Sequence, residues 1–171
     1  FHVETRNGGT FKAPVVLVTA GAWGARFSAA FGETVPLTTA GPQMLVTEPT
    51  RFFLPQAIGV STANYWEGVY VRQVTRGNIV VGGGPRGPAS ADTSRGYIVP
   101  TNTLNQLVQL HELLPGMRPL QVIRTWSGVE SYLPDDLPIM GPSPSVPGLF
   151  YAFGFCGAGF QIGPGVGDVM A

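Results

Sequence analysis

Apolar and polar positions alternate over residues 1–6, with Phe1, Val3 and Thr5 on one side and His2, Glu4 and Arg6 on the other. This period of two predicts a half-buried strand. Asn7-Gly8-Gly9 turns the chain back and makes the segment a hairpin. Residues 15–19 form an unbroken aliphatic and β-branched run, the pattern of a strand buried on both faces in a parallel sheet. The glycine-punctuated exit Ala20-Gly21-Ala22-Trp23-Gly24 leads into a short helix ending near Gly32.

From Val35 the texture becomes strand and loop. A strand is expected over QMLVTEP, residues 43–49, and a hairpin over residues 68–84, where Arg76-Gly77-Asn78 joins two apolar runs. Residues 101–114 predict the main amphipathic helix: Leu104, Leu107, Val108 and His111 recur at helical spacing, Thr103 with Gln106 has the form of a capping box, and Pro115 ends the run. Strands come next at 121–127 and 149–153, separated by a proline-rich link over 134–147. A glycine ladder then opens a last helix.

Strands outnumber helices, so the expected fold class is α+β, a mixed and largely antiparallel sheet with one main helix. The two ends look instead like pieces of a parallel α/β domain. The chain starts in what reads as a hairpin already in progress and stops within a helix, which marks it as a fragment of a longer protein.

Composition narrows the function. Apolar residues make up 44% and charged residues only 12%, half of the roughly 25% usual for soluble domains, which implies surface buried against other protein. Ten basic residues balance ten acidic ones with no basic run, so nucleic acid is a poor partner. No apolar stretch approaches the roughly 20 residues that span a bilayer. Cys156 is the single cysteine, which fits a reducing, cytoplasmic setting. His2 and His111 lack neighbours at ligand spacing, so no metal site is expected.

Several motifs carry two readings. The glycines at 154, 157, 159, 163, 165 and 167 suit either a tightly packed strand-turn-helix or the approach of a backbone to an anionic or polar cofactor group. The cluster 82–87 lacks a Lys-Ser/Thr pair and a helix directly after it, and reads as a loop rather than a phosphate cradle. Asp135 and Asp136, between Pro134 and Pro138, read as a turn before an acid/base pair. Cys156, with no histidine in the local sequence, reads as a packing residue before a nucleophile.

Four segments in order then resemble the C-terminal half of the FAD-dependent amine and amino-acid oxidoreductases, the family of D-amino-acid oxidase, glycine oxidase, and sarcosine oxidase with its heteromeric β subunits. They are Ala20-Gly21-Ala22-Trp23, Gln43-Met44-Leu45-Val46-Thr47-Glu48-Pro49, WSGVESYLPDDLPIMG at 126–141 and GLFYAFGFCGAGFQIGPGVG at 148–167. The last two are most similar to β-type subunits of opine oxidases, hydrogen cyanide synthase and proline or hydroxyproline dehydrogenases.

The resemblance implies a Rossmann-type FAD domain contributing residues 1–33 and 148–171, and a sheet-based substrate domain over 34–147. The resemblance also implies a fingerprint for the ADP part of FAD, a GxGxxG after the first strand, which is absent here, so the cofactor site needs a missing N-terminal half. Phe155, Cys156, Gly157, Ala158, Gly159, Phe160 and Gln161 would pass the pyrimidine edge of the flavin, and Ala20 and Gly21 its adenosine or pyrophosphate side. Tyr70 matches an active-site tyrosine of glycine-oxidase-like relatives; on the strand pattern alone it is equally an ordinary half-buried aromatic. Arg72 would share its face and supply a cation for a substrate carboxylate.

Two departures stand out. Glu130 occupies the place of an arginine that clamps the substrate carboxylate in simple amino-acid oxidases, which implies a more basic or bulkier substrate such as an opine. Ala158 stands where relatives commonly carry histidine. The implied reaction is oxidation of a C–N bond in an amino acid or secondary amine by hydride transfer to FAD, with other subunits of a heteromeric dehydrogenase as candidate partners, and with the fragment alone inactive. The competing class is a β-rich binding or assembly module with no redox role. An alcohol-oxidising flavoenzyme acting on a phosphorylated substrate ranks lower, because clustered cations are lacking.

Overall fold

The computed structural model describes residues 1–171. In chain order its elements are β1 (His2–Glu4), β2 (Thr10–Lys12), β3 (Val16–Val18), α1 (Gly24–Ala30), β4 (Thr38–Ala40), β5 (Gln43–Pro49), β6 (Ile58–Val60), β7 (Val69–Gln73) and β8 (Asn78–Gly82). After these come β9 (Ala89–Ser90), β10 (Arg95–Gly96), α2 (Pro100–Leu113), β11 (Val122–Ser127), β12 (Glu130–Tyr132), β13 (Ile139–Pro142), β14 (Leu149–Phe153) and α3 (Gly159–Met170). The fold is α+β with mixed, mostly antiparallel sheets, as the strand-rich pattern predicts. Two compact units divide the chain: Phe1–Thr39 with Glu130–Ala171, and Ala40–Val129.

The unit Ala40–Val129 is built on a five-stranded antiparallel sheet in the order β11-β5-β8-β7-β6. Leu45, Val69, Val71, Ile79 and Val81 form its apolar face and pack with Leu110 of α2. Val69, Val71 and Gln73 of β7 are buried while Tyr70 and Arg72 between them are exposed, the period of two expected where a helix covers one face only.

Helix α2 meets this sheet in a register that the sequence pattern does not anticipate. Its buried stripe is Asn102, Gln106 and Leu110, whereas Leu104 and Val108 are exposed. Main-chain carbonyls at the end of the sheet set this register. Gln106 Nε2 donates to Gln43 O at 2.6 Å and Gly83 O at 2.9 Å, and Asn102 Nδ2 donates to Pro85 O at 2.8 Å. Gln43, itself buried, accepts from Val99 N at 2.9 Å and donates to Thr103 Oγ1 at 2.5 Å. Buried carbonyls need donors, and satisfying them outweighs burying two more aliphatic side chains. The capping box does not form: the helix begins at Pro100 with Val99 as its N-cap, and Thr103 and Gln106 are already inside it, engaged with Gln43 and Gly83.

The other unit holds the three-stranded sheet β13-β14-β3, in which β14 runs antiparallel to β13 and parallel to β3. Val18, Leu149, Tyr151 and Phe153 form its core, with the Tyr151 and Phe153 rings edge to face at 5.6 Å. Gly24 lies so close to the Phe153 ring that any Cβ there would collide with it. The segment over 134–147 is not all link, since β13 lies within it and pairs with β14. Two burial expectations also change. The β1–β2 hairpin forms, but every residue of both strands is exposed. In β3, Val18 is buried while Leu17 is 47% exposed. Apolar periodicity reports which side chains seek cover, and within this chain neither hairpin nor β3 edge receives it.

Glu33 pins the loop after β13. Its carboxylate accepts from Ser143 Oγ at 2.5 Å, from Ser145 N at 3.3 Å and from Ser145 Oγ. The serine hydrogen bonds hold its carboxyl below the usual range. Tyr151 Oη is buried without a partner at good hydrogen-bond geometry, and burial first, then the nearby Glu33 charge, pushes the phenol up to about 12.

This packing makes Gln106 and Glu33 directly testable. Gln106→Leu should destabilise the chain by about 2–4 kcal/mol in urea unfolding, because the Gln43 and Gly83 carbonyls lose their donor, while Leu104→Ala on the exposed stripe stays within about 0.5 kcal/mol; equal effects would refute the polar docking. For Glu33 the folded pKa lies below the unfolded one, so its contribution is complete at neutral pH and is lost as pH falls through the folded value. The unfolding midpoint of the natural chain should therefore fall more steeply on acidification than that of Glu33→Gln, and parallel curves would contradict the clamp.

Candidate functional site

The glycine ladder resolves into a turn with unusual backbone geometry. Gly154, Cys156 and Gly157 have φ of 76°, 51° and 90°, all in the left-handed region that L side chains disfavour. Holding Cys156 there costs about 1–2 kcal/mol, and the surroundings fix it. Cys156 Sγ accepts from Leu133 N at 3.4 Å and donates to Gly154 O at 3.2 Å. The cysteine is thus a latch tying the turn to the residue just after β12.

Helix α3 starts directly after this turn, with Ala158 as its N-cap. Ala158 N donates to Phe155 O at 2.9 Å, and Ile162 N donates to Ala158 O at 3.2 Å. The N–H groups of Gly159, Phe160 and Gln161 have no acceptor in the chain, and no side chain caps them. Three free donors at the positive end of a helix dipole can receive an anionic or electron-rich carbonyl oxygen. Phe160 is wholly exposed beside them.

Glu130, the first residue of β12, faces the same turn. Its Oε2 accepts from Tyr132 Oη at 2.7 Å, and a Cβ added to Gly157 would lie 3.1 Å from that oxygen. Tyr132 is buried, Glu130 is half-buried, and no basic side chain forms an ion pair with it. A partly desolvated carboxylate without a cation is costly to keep, and it is chemically matched to a protonated amine.

Gly21, with φ of 51°, joins Leu17, Phe155, Gly159, Gly163 and Gly167 in lining a cavity of about 300 Å³ beside α3. Ala20 lies one residue before it, its carbonyl accepting from Trp23 N at 2.9 Å. In this unit, then, Gly21 meets Phe155 and Gly159, and Glu130 meets Gly157.

Tyr70 and Arg72 belong to the other unit and share the open face of its sheet. Gly82 on β8 leaves the Tyr70 ring room to lie across that strand, and Tyr70 Oη reaches Met44 Sδ on β5 at 3.3 Å. Trp126 pairs with Met44 on the same face, and the Arg124 guanidinium sits 6.0 Å from its ring centre. Met44, Trp126 and Tyr132 are absent from the sequence-based set of site residues. The first two need the strand pairing to be seen, but Tyr132 is marked by its i+2 spacing from Glu130. Asp135 and Asp136 form an exposed turn, with Leu137 N donating to Asp135 Oδ1 at 3.1 Å and Asp136 N to Leu133 O at 3.1 Å.

The helix start with free N–H groups and the carboxylate beside it lie in one unit, and the aromatic sheet face lies in the other. The family model described as DAO, FAD dependent oxidoreductase, matches residues 1–171, and the chain belongs to that family. Glycine oxidase of Geobacillus kaustophilus is 28% identical over 171 residues, covering 99% of this chain and 43% of that protein. Hydrogen cyanide synthase subunit HcnC of Pseudomonas aeruginosa is 29% identical over 157 residues, covering 89% of this chain and 34% of that protein. The crystal structure of L-proline dehydrogenase from P. horikoshii has the same fold, with a TM-score of 0.83 at 23% identity over 99% of this chain and 44% of that one. The chain therefore spans less than half the length of the proteins it matches. No helix is long and apolar enough to cross a membrane.

Proposed function

We propose that this chain is the flavin-ring and substrate-facing part of a FAD-dependent oxidoreductase that oxidises the C–N bond of an amino acid or secondary amine. The observation that carries this reading is the meeting of Glu130, a half-buried carboxylate without a cation, with the glycine turn that opens α3. The family supports FAD as the cofactor, and the free N–H groups of Gly159, Phe160 and Gln161 suit the electron-rich oxygens of a flavin pyrimidine edge.

When bound, FAD supplies the hydride acceptor. The turn 155–161 contributes N–H donors and the helix dipole, and Gly21 contributes a backbone without side-chain obstruction. Glu130 holds the substrate amine through an N–H···O bond and takes up the proton that the nitrogen loses before oxidation. Tyr70 offers an aromatic wall and Arg72 an exposed cation for a carboxylate. The unit Ala40–Val129 is read as the core of the substrate domain, and the other unit as part of the FAD domain. The exposed apolar residues Leu17, Phe27 and Phe31 near β3 are read as surface that the rest of a longer protein covers. The name of the HcnC relative, a subunit, supports assembly with further subunits.

The test is made on the full-length protein. It should purify with FAD, whereas the 171-residue chain mixed with FAD should give no stoichiometric yellow complex. Glu130→Gln should retain the flavin and lose affinity for cationic secondary amines by about tenfold or more, the scale of one charge-assisted hydrogen bond. Unchanged amine affinity in that variant would sink the assignment of Glu130.

A further inference from the structure

We propose that Tyr132 is a positioning residue that aims the Glu130 carboxylate as a hydrogen-bond acceptor, with Gly157 providing the space in which the carboxylate is presented. The inference rests on the reading of Glu130 as the amine-binding group. Residues two apart on a strand project to the same side, so Glu130 and Tyr132 share one face of β12 while the buried Ser131 points to the other. Tyr132 Oη donates to Glu130 Oε2 at 2.7 Å, within the range of a charge-assisted O–H···O⁻ bond. Glu130 has no other hydrogen-bond or ion-pair partner, which leaves Oε1 available to a ligand.

Gly157 borders both polar atoms. A Cβ there would lie 3.1 Å from Glu130 Oε2 and 4.0 Å from Tyr132 Oη, at a backbone φ of 90° that itself disfavours a side chain. The elements against β12 offer little else that titrates. Thr38 of β4 donates from Oγ1 to Tyr132 O at 3.3 Å, the turn 21–23 carries no ionisable group, and Cys156 of the glycine turn is engaged with Leu133 N and Gly154 O. Tyr132 is thus the one titratable group hydrogen-bonded to Glu130, and it is buried and able to donate one proton.

The experiment is calorimetric binding of a non-reactive cationic secondary amine to the full-length, FAD-loaded protein at neutral pH, beside a carboxylate ligand of similar size that lacks the amine. In Tyr132→Phe, amine affinity at neutral pH should fall about tenfold. Affinity for the carboxylate-only ligand should stay the same. Gly157→Ala, whose Cβ would crowd Glu130 Oε2, should show the same selective loss of amine affinity and serves as the readout should Tyr132→Phe fail to fold. Tyr132→Phe or Gly157→Ala with unchanged amine affinity, or with an equal loss for both ligands, would overturn the positioning role while leaving Glu130 as the amine site. Unchanged amine affinity in Glu130→Gln would instead remove the reading on which the inference rests.

Discussion

The turn between β14 and α3 is the constraint on which the candidate site depends. Gly154, Cys156 and Gly157 all adopt left-handed backbone, so the chain reverses within a few residues and presents the first N–H groups of α3 without acceptors. Such a turn is not stable by itself, because Cys156 resists that conformation. Leu133, the residue directly after β12, holds it from two sides: its N–H bonds the cysteine sulfur, and its Cδ1 occupies the space where a Cβ on Gly154 would sit. Strand β12 itself places Glu130 and Tyr132 against Gly157. Backbone donors and the lone carboxylate are therefore fixed by one set of contacts, and this coupling makes the reading as a cofactor and amine site coherent.

A second theme is polar control of packing. In the sheet of Ala40–Val129, the buried amides of Gln43, Asn102 and Gln106 decide how α2 sits, and aliphatic side chains that could have faced the core are left outside. The helix covers one sheet face and leaves Tyr70, Arg72, Met44 and Trp126 on the other. Gly82 has a comparable role there, since its missing side chain admits the Tyr70 ring.

Much of the fold is legible in the sequence because the signals are local. The run at 43–49, the hairpin over 68–84 and the strand at 149–153 announce themselves through β-branched runs and turn residues. The order of four motifs also points to the family, which the match over residues 1–171 shows. The features that escape depend on partners distant in sequence. Gln106 reads as half of a capping box until Gln43 and Gly83 are brought to it, and β13 becomes a strand through pairing with β14. Tyr132 is marked by its spacing from Glu130, but its meeting with Gly157 needs the fold. The hairpin over residues 1–12 shows the converse: its alternation is real, but the chain contains nothing that covers it.

The central claim is that the start of α3 receives the flavin. Amide hydrogen exchange on the full-length protein, compared with and without FAD, tests it most directly. Exchange at Gly157, Gly159, Phe160 and Gln161 should slow strongly when the cofactor binds, since these N–H groups then acquire acceptors. Unchanged exchange at those amides, alongside protection elsewhere in the protein, would contradict the account.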